Sequence, residues 1–436
     1  MAAASQAGRP ALSETDWLST VAMRSLLRHG IALAQRVGQD LHGLATRLTP
    51  APAGHAGALP DRSELAPVLA RAESALADDV LPFWTRDTWD DDAGGFITHL
   101  DRTGRRAGPT GKCLVAQAGT IWSLAAAHRH GLDGRGYLDL ARGGVRFLLE
   151  KMWDAEHGGF VWEIAGDGRV VEPRTDTCGQ AIAISALTEY ALASGDDAAL
   201  ATASALFDIL HERPADERKT LLTHLHLMAS FALLTRATGA SIHAAALEKV
   251  RTLLVARGAE AFDSPTGPLG RTVASYGLNV QAAWLMLDAA DALGAVPAGV
   301  REKALALVDH ALACGFDWRR GGLARYGPPR GHVVRAVYLG RRRLDKVWWA
   351  QAELLVAALE AHRLTGAARY LDAFRRQADW IWTRQADREA GGWFEATTWR
   401  EGRPLGFAKG DGWRCPFHET RALIRVSRAL RAMGFR

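Results

Sequence analysis

The 436-residue chain is predicted to be all-α: an (α/α)6 barrel of six helical hairpins closed into a toroid, with short β-hairpin loops and an extra N-terminal helix. Three observations lead there. From about residue 63 onward, successive segments of roughly 15–20 residues are rich in Ala and Leu and repeat their apolar positions with the 3.6-residue period of a helix. A step of two glycines after an aspartate recurs, as Trp89-Asp-Asp-Asp-Ala-Gly-Gly-Phe96, Trp153-Asp-Ala-Glu-His-Gly-Gly-Phe160, Phe316-Asp-Trp-Arg-Arg-Gly-Gly-Leu323 and Asp387-Arg-Glu-Ala-Gly-Gly-Trp393. The helices alternate in pairs at intervals of roughly 50–70 residues, the mark of an array that buries its core by neighbour packing. Six pairs suffice to close a ring; an open solenoid is the alternative.

Residues 14–48 carry an amphipathic pattern (Trp17, Val21, Leu26, Leu27, Ile31, Val37, Leu41, Leu44) behind Ser13-Glu-Thr-Asp16, a start resembling a capping box. Residues 49–61 are a Pro/Gly/Ala linker. The expected division is therefore an appendage at 1–62, available to pack on the main body or on a second subunit in a homodimer, and a barrel at 63–436. Within the barrel, one set of helices begins near Ser63, Gly136, Asp197, Ser241, Val300 and Ala367. The alternating set begins near Lys112, Thr177, Lys219, Ser275, Asp345 and Phe417. The second set is the more apolar and is placed inside, so that its N-termini face one cavity. The double glycines suit tight turns with positive φ, and short extended pieces follow them (Phe96-Ile-Thr-His99, Phe160-Val-Trp-Glu163). Loops around Glu212–Thr220 and Phe262–Gly270 lack the glycine pair.

Composition narrows the function. With 48% hydrophobic and 23% charged residues the chain is a globular protein, and it has no apolar run approaching the ~18 residues of a membrane span. Met1–Pro10 lacks a charged segment followed by an apolar one, so no secretory signal is expected. Cys113, Cys178, Cys314 and Cys415 are scattered without a Cys-x-x-Cys pair, which points away from zinc and disulfides and towards the reducing cytoplasm. The net charge of +5 is spread along the chain, and its one basic run, Arg341–Arg343, reads as a solvated loop rather than a nucleic-acid surface, although it offers a weak attraction for an anionic sugar. No phosphate-binding glycine motif is present, and no metal or organic cofactor is implied. Fifteen tryptophans hint at stacking on sugar rings.

The starts of the inner helices hold the unusual residues: Lys112, Gln117 and Trp122; Asp176, Cys178 and Gln180; His224 and His226; Tyr276, Asn279, Gln281 and Trp284; Lys346, Trp348, Trp349, Gln351 and Glu353; Trp413, His418 and Arg421. Polar and aromatic groups at equivalent points of independent repeats suggest convergence on one pocket. His224 and His226 point about 200° apart on a helix, so one faces the cavity and the other packs. Glu353 lies one turn from Trp349 on the same face, where a buried carboxylate needs a polar partner. Asp176 is equally readable as the N-cap of the helix at Thr177. The stretch Gly410–Leu423 offers His418 from a loop feeding a helix start, a common way to hold a titratable side chain at a pocket mouth.

These residues resemble the N-acylglucosamine 2-epimerase superfamily, which includes mannose isomerases and cellobiose 2-epimerases. The match covers roughly residues 65–430 and is carried by Asp345-Lys-Val-Trp-Trp-Ala-Gln-Ala-Glu353 with its continuation to Leu359, by Trp413-Arg-Cys-Pro-Phe-His-Glu-Thr-Arg421, and by Thr223-His-Leu-His226 and Ser275-Tyr-Gly277. The resemblance implies an (α/α)6 barrel and proton transfer at the sugar carbon next to the carbonyl, giving an epimer or a ketose through an enediol. It implies His418 as a catalytic acid/base and His226 as a second catalytic-site histidine assisting ring opening. Trp348, Trp349, Glu353 and Trp413 would hold the sugar, with Tyr276, Asn279, Gln281, Trp122 and His224 as further candidate contacts. The sequence departs from the family at three points. Leu278 follows Gly277 where the family has histidine, Gln281 stands where it has glutamate, and Gly119 stands where it has arginine. Two other readings stay open. One is a non-catalytic sugar binder; the other is a glycoside hydrolase or lyase using Asp176, Glu353 or Glu419, for which hydrolysis would need two carboxylates at a defined separation.

Overall fold

The computed structural model describes residues 62–108, 110–132, 136–212, 220–256, 263–264, 273–333 and 344–435. Its helices alternate between two roles. The outer set is α1 (Arg62–Ser74), which runs through a π-helical turn into α2 (Leu81–Thr85), then α4 (Tyr137–Phe147), α6 (Asp197–Glu212), α8 (Ser241–Ala256), α10 (Ala298–Cys314) and α12 (Ala368–Trp380). The inner set is α3 (Leu114–Arg129), α5 (Thr177–Ser194), α7 (Leu221–Thr238), α9 (Tyr276–Ala292), α11 (Trp348–Thr365) and α13 (Phe417–Ala432).

The apolar content of the sequence accounts for this division. Every residue of α5 from Cys178 to Ala191 is buried, which requires protein on all sides. In α12 only one stripe is buried, including Tyr370, Phe374 and Trp380, while its arginines face outward. Each inner helix packs on the next, α3 on α5 and so on to α11 on α13, and α13 returns to pack on α3 and α1. The ring is closed. Loops fasten the seam: Gly410 bridges Leu100, and Asp79 Oδ1 accepts from the Gly392 amide at 2.7 Å. The helix starts fall within a few residues of those expected, the inner ones slightly later because a short strand precedes several of them. The appendage expected at 1–62 lies outside the described residues apart from Arg62, as do Arg341–Arg343 and most of the two loops without a glycine pair.

The double-glycine steps are one recurrent buckle. In each, the aspartate amide (Asp90, Asp154, Asp317, Asp387) donates to the carbonyl of the second glycine at 2.8–3.0 Å. The aspartate carboxylate caps the intervening turn, and both glycines hold positive φ, 74° and 76° at Gly94 and Gly95. Antiparallel hairpins follow: β2 (Glu163–Ile164) pairs with β1 (Lys112–Cys113) and with β3 (Val170–Glu172). Likewise β5 (Val273–Ser275) pairs with β4 (Asp263–Ser264) and with β6 (Tyr326–Gly327), and β7 (Lys346–Val347) pairs with β8 (Ala396–Thr397). In all three sheets the strand after a buckle lies beside the start of the preceding inner helix.

These buckles correct the expectation that the polar residues at the helix starts converge on one pocket. The Gln117 amide grips Phe96 at both N and O (2.7 and 2.6 Å), Gln180 grips Phe160 (2.9 and 2.7 Å) and Gln351 grips Leu323 (2.8 and 2.9 Å). Lys112, Lys346 and Lys409 bind Asp90, Asp317 and Asp387 at 2.7, 3.2 and 2.6 Å. These side chains recur because the repeat needs its buckle held, not because they meet a ligand. Asp176 is an N-cap, accepting from the amides of Cys178 and Gly179 at 2.9 and 3.3 Å. Lys346 also lies 3.5 Å from the Trp380 ring centroid, and burial, opposed by Asp317, brings its ammonium down to about 8. Lys346→Met would strip the buried Asp317 of its closest cation and leave it Arg320 at 3.7 Å, so urea unfolding is expected to show a loss of about 1–3 kcal/mol. A loss below about 1 kcal/mol would contradict the clamp assignment.

Candidate active site

At the N-terminal ends of the inner helices the ring encloses a cavity of about 330 Å³. Its wall is aromatic and aliphatic: Trp348, Trp349, Trp413 and Phe417, with Val115, Ile182, Leu222 and Leu278. Its polar side chains are His226, Gln281, Arg325, Tyr326 and His418. A largely apolar cleft with a few convergent polar groups is the usual form of a small-molecule site.

His418 is the second residue of α13, which begins after Pro416. Its Nδ1 lies 2.6 Å from Oε1 of Glu353, on α11. The same oxygen accepts from Arg421 Nη2 at 2.6 Å, and Oε2 accepts from Trp284 Nε1 at 2.7 Å. Burial pushes the Glu353 carboxyl up, but Arg421 and His418 outweigh it and bring it down to about 2. Glu353 is thus a carboxylate with nothing to donate, so Nδ1–H of His418 must be the donor. Nε2 is left as the basic atom of a ring that lines the cavity. Burial lowers the His418 conjugate acid, Glu353 raises it and Arg421 lowers it again; the net shift is downward, so His418 is neutral at pH 7. Arg421 is held between the Trp284 and Phe417 rings, 4.8 and 4.5 Å from their centroids.

His226, on α7, lines the cavity against Phe417, with ring centroids 6.4 Å apart. Burial, Arg421 and His418 lower it to about 3, so it too is neutral. Trp349 stands between His418 (6.1 Å between ring centroids) and the start of α9, where a Cβ at Gly277 would collide with its ring. Trp413 is 50% exposed at the mouth, beside Trp162. Gln281 is buried with both amide atoms lacking a hydrogen-bond partner.

Five of the expected contact residues do not line the cavity. Tyr276 is fully buried and donates to the Pro328 carbonyl at 2.8 Å. Asn279 is turned to the outer layer, 2.9 Å from His310 Nδ1. His224 returns to its own helix start, Nδ1 at 2.9 Å from the Thr220 carbonyl, and is the packing member of the histidine pair. Trp122 packs its edge on Phe417 and faces a second chamber at the C-terminal ends of the inner helices. That chamber holds the pairs Arg129–Glu189, Arg236–Asp288 and Arg425–Asp288, cations suited to helix C-termini. Glu353 does not line the cavity; it stands behind His418. Asp176 and Glu419 do not line it either, so among the described residues the paired carboxylates a glycoside hydrolase needs are not in place. Among the described residues no cluster of three or more His, Cys, Asp or Glu suits a metal ion, and no helix is long and apolar enough to cross a membrane.

The family model for N-acylglucosamine 2-epimerase matches residues 95–248 and 274–410. The chain belongs to the N-acylglucosamine 2-epimerase family. It is 26% identical over 406 residues to the cellobiose 2-epimerase of Ruminococcus albus, covering 82% of this chain and 98% of that one. The solved cellobiose 2-epimerase of Spirochaeta thermophila superposes with a TM-score of 0.76 at 27% identity, covering 86% of this chain and 100% of the other. A D-mannose isomerase structure shares the fold, with a TM-score of 0.72 at 18% identity over 85% of this chain and 100% of that one. By family the chain is a carbohydrate epimerase or isomerase.

The three departures from the family pattern have structural counterparts. Leu278 and Gln281 both face the cavity, where neither can carry a proton. At Gly119 any Cβ would collide with Cys415 Sγ, so an arginine there has no room. Sequence reasoning passed over Arg421 as the partner of Glu353, although its i, i+3 spacing from His418 places both on one helix face. It also missed Arg325 and Tyr326, which follow a glycine pair in a short extended piece without periodicity.

Proposed function

We propose that this chain moves a proton at the carbon next to the carbonyl of a free mono- or disaccharide, as a 2-epimerase or an aldose–ketose isomerase. The observation that carries the reading is His418, backed by Glu353 and Arg421, opening onto a tryptophan-walled cavity. In this reading the sugar stacks on Trp348, Trp349 and Trp413, and His226 assists ring opening from the Phe417 side. Nε2 of His418 takes the proton from the second carbon, and the electron pair passes into the carbonyl to form an enediolate. Glu353 stabilises the imidazolium, as a buried carboxylate does when hydrogen-bonded to the far ring nitrogen. Donors on Gln281 and Arg325 face the developing oxyanion. The names of the relatives support disaccharide and hexose substrates alike.

The test is chromatography of cellobiose, mannose, glucose, fructose, N-acetylmannosamine and their phosphorylated forms after incubation with the purified protein. A new epimer or ketose is expected from at least one. Leu278 and Gln281 favour a second reading, a sugar-binding barrel without turnover, which predicts saturable binding with no product.

A further inference from the structure

Inverting the second carbon requires a proton removed from one face and another delivered to the opposite face, and the cavity has no histidine on α9 to do so. We propose that Tyr326, with Arg325 against it, is the second proton-carrying group; this rests on the proton-transfer reading above. The β5–β6 register sets Tyr326 opposite Ser275, directly before α9, so the phenol stands beside the helix whose Leu278 and Gln281 face the cavity. Trp349 lies against both that helix start and His418, so the cavity wall runs from His418 past Trp349 to the segment carrying Tyr326, and in the proposed step the phenol stands on the face of the sugar away from His418. The other polar or thiol groups do not meet the requirement. His226 stands against Phe417, the neighbour of His418, and Cys415 precedes His418 in the same segment. The Gln281 amide is neither an acid nor a base near neutral pH, so it can donate a hydrogen bond but not deliver a proton.

The fold does not demand tyrosine at this point. The strand residue paired with the position just before the inner helix is Glu163 after the Gly158–Gly159 buckle and Ala396 after the Gly391–Gly392 buckle. Three unlike side chains fill one structural role, so the choice of tyrosine is free to serve the site. The Arg325 guanidinium lies 4.9 Å from the Tyr326 ring centroid, and its Nε has no hydrogen-bond partner.

The step balances without a co-reactant. His418 Nε2 takes the proton from the second carbon and the C–H pair enters the carbonyl. Tyr326 Oη–H gives its proton to the opposite face, the pair returns to form the new C–H bond, and the carbonyl is restored. Imidazolium and phenolate then exchange a proton through solvent.

The experiment compares wild type, Tyr326→Phe and His418→Ala in heavy water with cellobiose and mannose, reading exchange at the second carbon by proton NMR and epimer formation by chromatography. Wild type is expected to do both. Tyr326→Phe is expected to keep exchange, since His418 can return solvent deuterium to the same face, while epimer formation falls by about 10²-fold or more. Tyr326→His, which keeps a proton carrier, is expected to restore part of it. Equal epimerisation by Tyr326→Phe would overturn the assignment, as would loss of exchange together with epimerisation in a folded variant, or a wild type that makes only the ketose. A wild type that exchanges nothing removes the proton-transfer reading itself, and this one with it.

Discussion

Replacing His418 with alanine is expected to lower turnover by about 10³–10⁴-fold, the upper part of the range for a positioned acid/base group. The fold should survive, because Glu353 keeps its hydrogen bonds from Arg421 and Trp284 and the histidine contributes no backbone clamp. The pH profile of the wild type gives the sign. His418 acts as a base only when neutral, and its conjugate acid is held below the ordinary value of 6.5, chiefly by burial. The rate from this group should therefore be flat at and above neutrality and fall on acidification, with a midpoint below 6.5. Glu353 raises the His418 value, so Glu353→Gln should move that limb to still lower pH. A midpoint above 7 in kcat/KM would contradict the assignment.

Glu353→Ala is expected to have the largest effect on stability, a loss of about 3–5 kcal/mol in urea unfolding, together with loss of activity. The carboxylate is 2% exposed, and its removal leaves Arg421 a buried cation between two aromatic rings with its charge partner gone. The double variant Glu353→Leu/Arg421→Met should recover much of the stability and none of the activity, because a buried pair is replaceable by apolar residues while the support of His418 is not. The same pair gives an acid dependence. The Glu353 carboxyl is at about 2 when folded against 4.5 unperturbed, a lowered value. Its contribution is thus complete above 4.5 and is lost as pH falls from there through 2. If the alanine variant is as stable as wild type, Glu353 is not the charged centre described above.

Much of the barrel was legible because its two helix classes differ in burial. A helix such as α5, apolar on every face, has to lie inside a ring, and a helix such as α12, with one apolar stripe, has to lie outside it. The double glycines marked the hairpins because their backbone requires positive φ. The π-helical turn after α1 and those after α4 and α12 left no trace in the periodicity. The site was legible only in part. Trp348, Trp349, Trp413, His226, Gln281 and His418 reach the cavity, while Gln117, Gln180 and Gln351, from the same first turns of the inner helices, hold buckles instead. Recurrence at equivalent points of a repeat is produced equally by a shared pocket and by a shared structural need, and the sequence carries no mark that separates them. Tyr276 and Asn279 turned away because their positions on α9 face the outer layer and the Pro328 and His310 partners there. Arg325 and Tyr326 were invisible because a two-residue strand has too short a pattern to announce which face it presents.

The measurement that tests the central claim most directly is proton NMR of the wild-type protein in heavy water with the sugar panel, read at the second carbon. We expect this signal to be lost for at least one sugar, and the loss to disappear in His418→Ala. Persistence of the signal for every sugar, with line broadening or shifts showing that one of them is bound, would contradict the proton-transfer reading and leave a barrel that holds a sugar without turning it over.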